Sequence, residues 1–415
     1  MKPRCSMRLA VVPLFAMVGL ARADATPDLK SLYDDHQWIE LRDAVKSSAK
    51  APAFYRGAVD ASFNDFSAAD KHLRAALESA PPAELADAAH ELLIELYMRS
   101  GRYRDTLGMI ETALRRNPGA EDLKNVHALY SALSRFPEQT MAAHGASKVR
   151  YRMKQGNMFV PFTVNGKQSD FLVDTGANFS LISESEARRL GLQISDATGA
   201  TMGDSSGTQL SFRIAMADRL TLGTVEFRHV LFFVVGDDQQ PFVSLAEGER
   251  GVIGFPVLFA LEKLRWNKTG EFETGFASRP AKAGKPNMYF DGMRMFVRAE
   301  FTQGKLNMFI DSGANTSRLV PRFASDYPAF VQQFGVKGSD RVTGVSGSVE
   351  VDVMTLPELK LNVRGSEATL SAVPVLMKDT ADDMDQCHAW IGMDLLSRVD
   401  SVTIDFKAMS FSIAP

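Results

Sequence analysis

The 415-residue chain has few cysteines, little net charge and no long apolar run beyond its first 20 residues. Cys5 precedes an apolar leader-like stretch, so only Cys387 is expected in the folded chain, which excludes an internal disulfide. We expect Cys387 to be a small buried side chain. No later segment approaches the about 20 uncharged apolar residues of a membrane helix, which argues against a membrane-embedded protein. The net charge of −3 gives no reason to expect a nucleic-acid partner.

The first 23 residues have the form of a cleavable secretory signal. Basic residues up to Arg8 precede an apolar stretch at 9–20, and Ala21-Arg22-Ala23 follows it. Removal of this segment takes the net charge from −3 to about −7 and places the mature start near Asp24. A periplasmic or secreted location is therefore expected.

A helical region is predicted for residues 24–148, where apolar residues recur at spacings of three and four. The region contains a loose internal repeat, with a third, partial copy near Tyr130 and Phe136. The two clearer copies are Phe66-Ser-Ala-Ala before Pro81 and Gly101-Arg-Tyr103 before Pro118, with the prolines 37 residues apart. This resembles tetratricopeptide-type hairpins, whose period is near 34 residues. Such a domain would bind a protein partner or deliver substrate; an irregular helical cover and a cleavable pro-segment remain alternatives.

From Tyr151 onward, short alternating apolar runs rich in Val, Phe and Thr predict β-strands. The sequence "ASRPAKAGKP" at 277–286 has the composition of an exposed linker. It separates two predicted β units, 151–276 and 287–415.

The two units repeat one another. "FLVDTGANFS" begins at Phe171 and "MFIDSGANTS" begins at Met308, so Asp174 recurs as Asp311 after 137 residues. Farther along, "VIGFPVL" recurs as "WIGMDLL" with an offset of 138. One shared frame over this distance indicates a duplicated lobe.

A duplicated Asp-Thr/Ser-Gly suits one kind of chemistry. Each acid follows a buried strand, and the glycine two residues later permits a tight turn. A pseudo-two-fold axis would bring Asp174 and Asp311 face to face, where like charges at about 3 Å cannot both ionise and one proton is shared. Such a pair can deprotonate a water and support the oxyanion of an attacked carbonyl without a metal. The hydroxyls of Thr175 and Ser312 are expected to hydrogen-bond across the axis.

These residues resemble the aspartic peptidases of the pepsin and retropepsin type, over the chain from about 151 to 415. Ala177 and Ala314 at the fourth motif position are closer to retropepsins than to pepsin. The resemblance implies a pseudo-two-fold, bilobal β-barrel peptidase. With the helical region before it, the chain is expected to be a multidomain α plus all-β protein. It further implies a peptide or protein substrate and no cofactor. By this resemblance, the catalytic role is assigned to Asp174 and Asp311. Supporting roles are assigned to Thr175, Gly176, Ala177, Ser312, Gly313 and Ala314.

Each lobe also has a glycine-rich flap candidate. The first covers 199–208 and includes Gly203 and Gly207; the second covers 341–349 and includes Gly344 and Gly347. The first lacks the flap tyrosine of pepsin-like enzymes, as retropepsins also do.

The sequence allows three other interpretations, and two of them lack a required feature. "GDSSG" at 203–207 fits the G-x-S-x-G of serine hydrolases, which requires a helix directly after it, but the following "TQLSFRIAM" alternates like a strand. "HELLI" at His90 lacks the second histidine of a zinc helix, and no metal site is predicted. The third alternative is a catalytically silent peptide-binding or scaffold protein. His388 and Trp390 are expected to pack in the core.

Overall fold

The computed structural model describes residues 28–142, 145–196, 201–203, 209–277, 285–344, 347–378 and 386–414. The leader predicted at 1–23 lies outside the described residues, as do Gly207 and most of the linker predicted at 277–286. Within the described chain, no helix has both the length and the apolar character needed to cross a bilayer.

The described chain begins with a helical domain. Its helices are α1 (Leu29–Asp34), α2 (Trp38–Ser47), α3 (Ala53–Ser62), α4 (Phe66–Glu78), α5 (Ala83–Arg99), α6 (Tyr103–Arg116) and α7 (Glu121–Leu133). Phe66 begins α4 and Tyr103 begins α6, while Pro81 and Pro118 lie in the turns that follow these helices. The two copies of the repeat therefore fall at the same place in successive helix pairs. Each helix ends before the proline, because a proline cannot continue a helix. The helical domain is confirmed; its likeness to tetratricopeptide repeats stays a prediction.

Two β-rich lobes follow. The first contains β1 (Thr140–Met141), β2 (Ser147–Arg150), β3 (Arg152–Lys154), β4 (Asn157–Val164), β5 (Lys167–Val173), β6 (Leu181–Ser183), α8 (Glu184–Leu190), β7 (Gln193–Ile194), β8 (Thr201–Gly203), β9 (Gln209–Ser211), β10 (Arg213–Leu222), β11 (Val225–Val235), β12 (Gly251–Ile253), α9 (Val257–Ala260), β13 (Lys263–Asn267) and β14 (Glu271–Thr274). The second contains β15 (Met288–Asp291), β16 (Arg294–Phe301), β17 (Gly304–Ile310), β18 (Arg318–Leu319), α10 (Pro321–Asp326), α11 (Pro328–Phe334), β19 (Val336–Gly344), β20 (Gly347–Val363), β21 (Ser366–Leu376), β22 (Ala389–Ile391), α12 (Met393–Leu396), β23 (Ser401–Asp405) and β24 (Ser410–Ala414).

The lobes share one topology around the repeated phrase. In the first, β5 runs parallel to β12, which pairs antiparallel with β6, and β6 runs parallel to β11. In the second, β17, β22, β18 and β21 repeat these three relations. A separate sheet in the order β2-β14-β13-β23-β24 takes strands from both lobes and joins them. The predicted fold class, a helical domain before a bilobal aspartic peptidase fold, is confirmed.

The β region begins earlier than predicted. Strand β1 pairs with β11, and β2 pairs with β14, so the helical segment does not extend to residue 148. The helices end at Leu133. Strands of two and four residues carry no readable periodicity, and their pairing partners lie far along the chain.

Strand alternation determines which side chains surround the acids. In β5, Phe171 and Val173 are fully buried in the core of the lobes, and in β17, Met308 and Ile310 are buried in the same core. Because successive side chains of a strand point to opposite faces, the intervening residues face away from this core. These outward-facing positions lie two residues before each acid.

The helical domain packs on those outward faces in both lobes. Leu172 of β5 shares a buried cluster with Ile94 and Tyr103, while Phe309 of β17 shares another with Leu93 of α5. Leu172 and Phe309 are 4% and 5% exposed. The helices and the lobes therefore have common apolar cores, which makes the helical domain an integral part of the structure.

Candidate active site

Backbone pairing fixes the position of each acid. Asp174 directly follows β5 and its N–H donates to the carbonyl of Ile253 at 2.9 Å; Asp311 directly follows β17 and donates to Ile391 at 2.9 Å. The residue after each of these isoleucines is glycine, because the turn that follows the aspartate of the same lobe passes close to it. A Cβ on Gly254 would lie 2.5 Å from the carbonyl oxygen of Ala177.

Each carboxyl group is held by its own turn. Oδ1 of Asp174 accepts the N–H of Gly176 at 2.7 Å. Oδ1 of Asp311 accepts the N–H groups of Gly313 at 2.9 Å and Ala314 at 3.1 Å. These bonds fix the carboxyl orientation at the end of a buried strand, while both side chains stay partly open to solvent.

The two turns bring the acids together. The carboxyl groups of Asp174 and Asp311 share a side-chain hydrogen bond. A Cβ on Gly176 would lie 2.9 Å from Oδ1 of Asp311, and one on Gly313 would overlap the carboxyl group of Asp174. Glycine is therefore required on both sides of the pair, because any side chain would push the acids apart.

Hydroxyl groups cross between the turns as the sequence predicts. The Thr175 hydroxyl donates to the carbonyl of Ile310 at 2.7 Å and accepts the N–H of Ser312 at 3.1 Å. The Ser312 hydroxyl donates to the carbonyl of Val173 at 2.7 Å and accepts the N–H of Thr175 at 3.1 Å. Both residues are buried, so the two lobes are linked by four hydrogen bonds directly beneath the acids.

The pair retains a proton more strongly than an isolated aspartate. Burial, and then the charge of Asp311, raise the pKa of Asp174 well above its usual range. Burial also raises the pKa of Asp311, although hydrogen bonds from Gly313, Asp174 and Ala314 oppose the rise, as does the nearby charge of Arg318. One protonated and one ionised carboxyl, side by side, can act as an acid and a base at the same time.

Both flap candidates contain hairpins in the described chain. Gly203 ends β8 and pairs with Gln209 of β9; Gly344 pairs with Gly347 at the end of the β19–β20 hairpin. Their role as flaps stays a prediction, and Gly207 lies outside the described residues. The strand β9 follows "GDSSG" where a nucleophile elbow would need a helix, which rules out the serine-hydrolase alternative.

The remaining sequence candidates have structural roles. Cys387 is fully buried and its thiol lies 3.2 Å from the carbonyl of Ala389. The buried His388 accepts the N–H of Asn307 through Nδ1, and its Nε2 lies 3.1 Å from Asp326. Neither residue is brought to the acid pair by these contacts.

Sequence reasoning missed Arg318. This half-buried residue lies one position after the repeated motif, and its guanidinium sits 5.5 Å from the ring centroid of Trp390. The 137-residue offset aligns Arg318 with Leu181. This difference, a cation in one lobe at the position of an aliphatic residue in the other, is the sequence feature that could have identified it.

Comparison with known proteins agrees with this site. Residues 160–257 match a family model described as aspartyl protease, and the matched span includes Asp174. The match is to an aspartyl protease family and lies within the first of the two lobes. No curated protein matches the chain.

Two solved structures are similar to parts of the chain. A retropepsin-like aspartic protease from Rickettsia conorii has 19% identity over 33% of this chain and 98% of its own, with a TM-score of 0.24. The retroviral protease-like domain of Ddi1 from Leishmania major has 18% identity over 27% of this chain and 78% of its own, with a TM-score of 0.17. Since both TM-scores are low, the fold assignment depends on the sheet topology described above.

Proposed function

We propose that the protein is an aspartic endopeptidase that hydrolyses peptide bonds with a water activated between Asp174 and Asp311. The observation that carries the proposal is the symmetric site: two acids from duplicated turns share a hydrogen bond above crossed Thr175 and Ser312 hydroxyls. An ordinary Asp-Gly turn requires neither the partner acid nor the crossed hydroxyls.

In the proposed mechanism, the ionised carboxylate takes a proton from water as the water oxygen bonds to the peptide carbonyl carbon. The protonated partner donates its proton to the carbonyl oxygen, which forms a tetrahedral diol. The nitrogen is then protonated by the acid that received the water proton, the C–N bond breaks, and a diol proton returns to the other aspartate. The two carboxyl groups titrate as a pair, so a bell-shaped pH profile is expected without assignment of either limb to one residue.

An extended substrate is expected to hydrogen-bond to hairpin backbone as an added strand. The helical domain is proposed to bind a protein partner or to deliver substrate. We also propose export through the segment at 1–23. Fusion of residues 1–30 to a reporter that is active only outside the cytoplasm tests export, and cytoplasmic retention of the fusion would oppose it.

The activity is tested by digesting a proteome-derived peptide library with purified protein between pH 3 and pH 7, with new termini identified by mass spectrometry. Cleavage is expected for the wild type and for Asp218→Asn, a control at an exposed acid of the first lobe. It is expected to vanish for Asp174→Asn and for Asp311→Asn. Cleavage that survives both changes excludes the acid pair, whereas a wild type that binds peptides without cleaving them supports the silent binding protein.

A further inference from the structure

A continuous row of side chains crosses the second lobe on the same face as Asp311. Register pairs Tyr289 with Phe296, Phe296 with Phe309, Phe309 with Trp390, and Trp390 with Arg318. The ring centroids are 5.7, 6.2 and 5.4 Å apart in that order. Phe309 precedes Asp311 by two residues, so strand alternation places the row on the face that carries the acid.

The first lobe has the corresponding row, but its chemistry differs. Phe159 pairs with Leu172, Leu172 with Val252, and Val252 with Leu181. Every member is apolar. The second lobe has Trp390 where the first has Val252, and Arg318 where the first has Leu181, so the duplicated frame has become asymmetric at these two positions.

The row in the second lobe is less buried towards Arg318. Tyr289, Phe296 and Phe309 belong to the buried cluster shared with α5, and the half-buried Trp390 packs against that cluster. Arg318, at the end of the row, is also half-buried. Arg318 is therefore the member of the row that another molecule can reach.

Register also brings Arg318 near Asp311, because Arg318 pairs with Trp390 and the next residue, Ile391, accepts the backbone N–H of Asp311. Burial lowers the pKa of Arg318, while Asp340 of β19 and Asp311 both act to raise it. In the part of the chain that the structure describes, no carboxylate forms an ion pair with Arg318. An arginine remains charged at every working pH, so a cation lies close to the reacting centre with donors to offer.

The guanidinium of Arg318 lies 5.5 Å from the ring centroid of Trp390, which supports its planar group on one side. An arginine in this position offers a planar set of N–H donors that fits a carboxylate. A carboxylate bound against Arg318 would accept these donors and neutralise the guanidinium charge.

We propose that Arg318, seated on Trp390 at the end of this row, is a specificity-determining residue that selects a substrate with an acidic side chain next to the scissile bond. The inference rests on the proposed function for the location of the scissile bond. The first lobe has Leu181 in the equivalent place, and its row packs in the buried cluster shared with the helical domain, so no acidic preference is expected on that side of the bond. Substrates are thus peptides with an acidic residue on one side of the cleavage site.

Cleavage is measured as kcat/KM for peptides that differ by Asp against Asn, or Glu against Gln, at each of the three positions on either side of the bond. One acidic position is expected to raise kcat/KM by about tenfold or more, the size of a hydrogen bond to a charged group. Arg318→Leu, which copies the first lobe, is expected to abolish this preference, so that the acidic peptide and its amide counterpart have equal kcat/KM. Arg318→Lys retains part of it, and Arg318→Glu favours Lys at the same position.

A peptide-binding assay tests this inference independently of peptide hydrolysis. Fluorescent acidic peptides and their amide counterparts are titrated against Asp174→Asn protein with Arg318 intact and with Arg318→Leu. Tighter binding of the acidic peptide, lost in Arg318→Leu, supports the inference even where the wild type cleaves nothing. An acidic preference that is missing in both assays, or that persists in Arg318→Leu, overturns it. Circular dichroism and thermal unfolding establish that the Arg318 variants are folded.

Discussion

Thr175 and Ser312 hold each other's turns through an exchange of hydrogen bonds across the lobe interface. Each hydroxyl accepts the other residue's backbone N–H and donates to a carbonyl of the opposite lobe. The acids above them therefore keep their separation only while the two turns stay locked. This exchange explains why a hydroxyl-bearing residue follows each aspartate.

Ser312→Ala is expected to lower the free energy of unfolding by about 1–3 kcal/mol, because the buried N–H of Thr175 and the carbonyl of Val173 lose their partner. Ser312→Thr keeps the hydroxyl and copies the first lobe, so it should cost less than about 1.5 kcal/mol. Urea unfolding measures both values. Equal effects of the two substitutions would show that the hydroxyl contributes little.

Asp174→Asn is expected to remove activity and to increase stability. The folded-state pKa of Asp174 lies above its unfolded value of about 3.9, so the wild type loses stability as pH rises from there through the folded pKa. At pH 7 the variant should therefore be more stable than the wild type. The gain should disappear near pH 3. Thermal unfolding at both pH values measures it, and a less stable variant at pH 7 would contradict the assigned shift.

Gly313→Ala is expected to abolish the proposed peptide cleavage although both acids remain. The new methyl group would overlap the Asp174 carboxyl group and separate the pair. A displacement of about 1 Å commonly costs about 100-fold in rate. Gly108→Ala is the control, because Gly108 is exposed in α6 and its Cβ would meet nothing within 4 Å. This control should keep full kcat/KM and gain about 0.5–1 kcal/mol in stability.

Glu95→Gln is expected to stabilise the contact between α5 and the second lobe above neutral pH. Burial raises the pKa of Glu95 to about 7, and a Cβ on Gly292 would lie 3.3 Å from its Oε1. An acid with a raised folded pKa lowers stability as pH rises from its unfolded pKa of about 4.3 towards 7.

The Glu95→Gln variant should therefore match the wild type at pH 4 and exceed it by about 1–2 kcal/mol at pH 8, with screening taken into account. Thermal unfolding across this range measures the difference. Glu78→Gln changes an exposed acid of α4 in the same domain and is the matched control. If both variants respond alike, the effect reports overall charge instead of this contact.

A chain that begins at residue 145 is expected to aggregate. Removal of the helices would expose Phe296, Phe309 and Leu172, which are now 1%, 5% and 4% exposed. Contiguous apolar patches of this kind promote association. Light scattering and binding of a hydrophobic dye compare this chain with the full one. A soluble monomer with cooperative unfolding would instead identify the helices as a removable cover.

The sequence by itself determined the duplicated lobes and the meeting of Asp174 with Asp311. A tight Asp-Thr/Ser-Gly turn after a buried strand is a local pattern, and its repetition in one frame implies a two-fold relation between the copies. The crossed hydroxyls followed from the same symmetry. The helical character of the first part was also readable, because its apolar residues repeat at helical spacing.

Only the tertiary structure decided which surfaces surround the acids. The early strands at Thr140 and Ser147 depend on pairing partners far along the chain. The position of Arg318 beside Trp390 depends on register across separate strands, and the packing of α5 against both lobes depends on burial. None of these relations has a local signal, because each is set by contacts between segments whose separation in sequence is large and irregular.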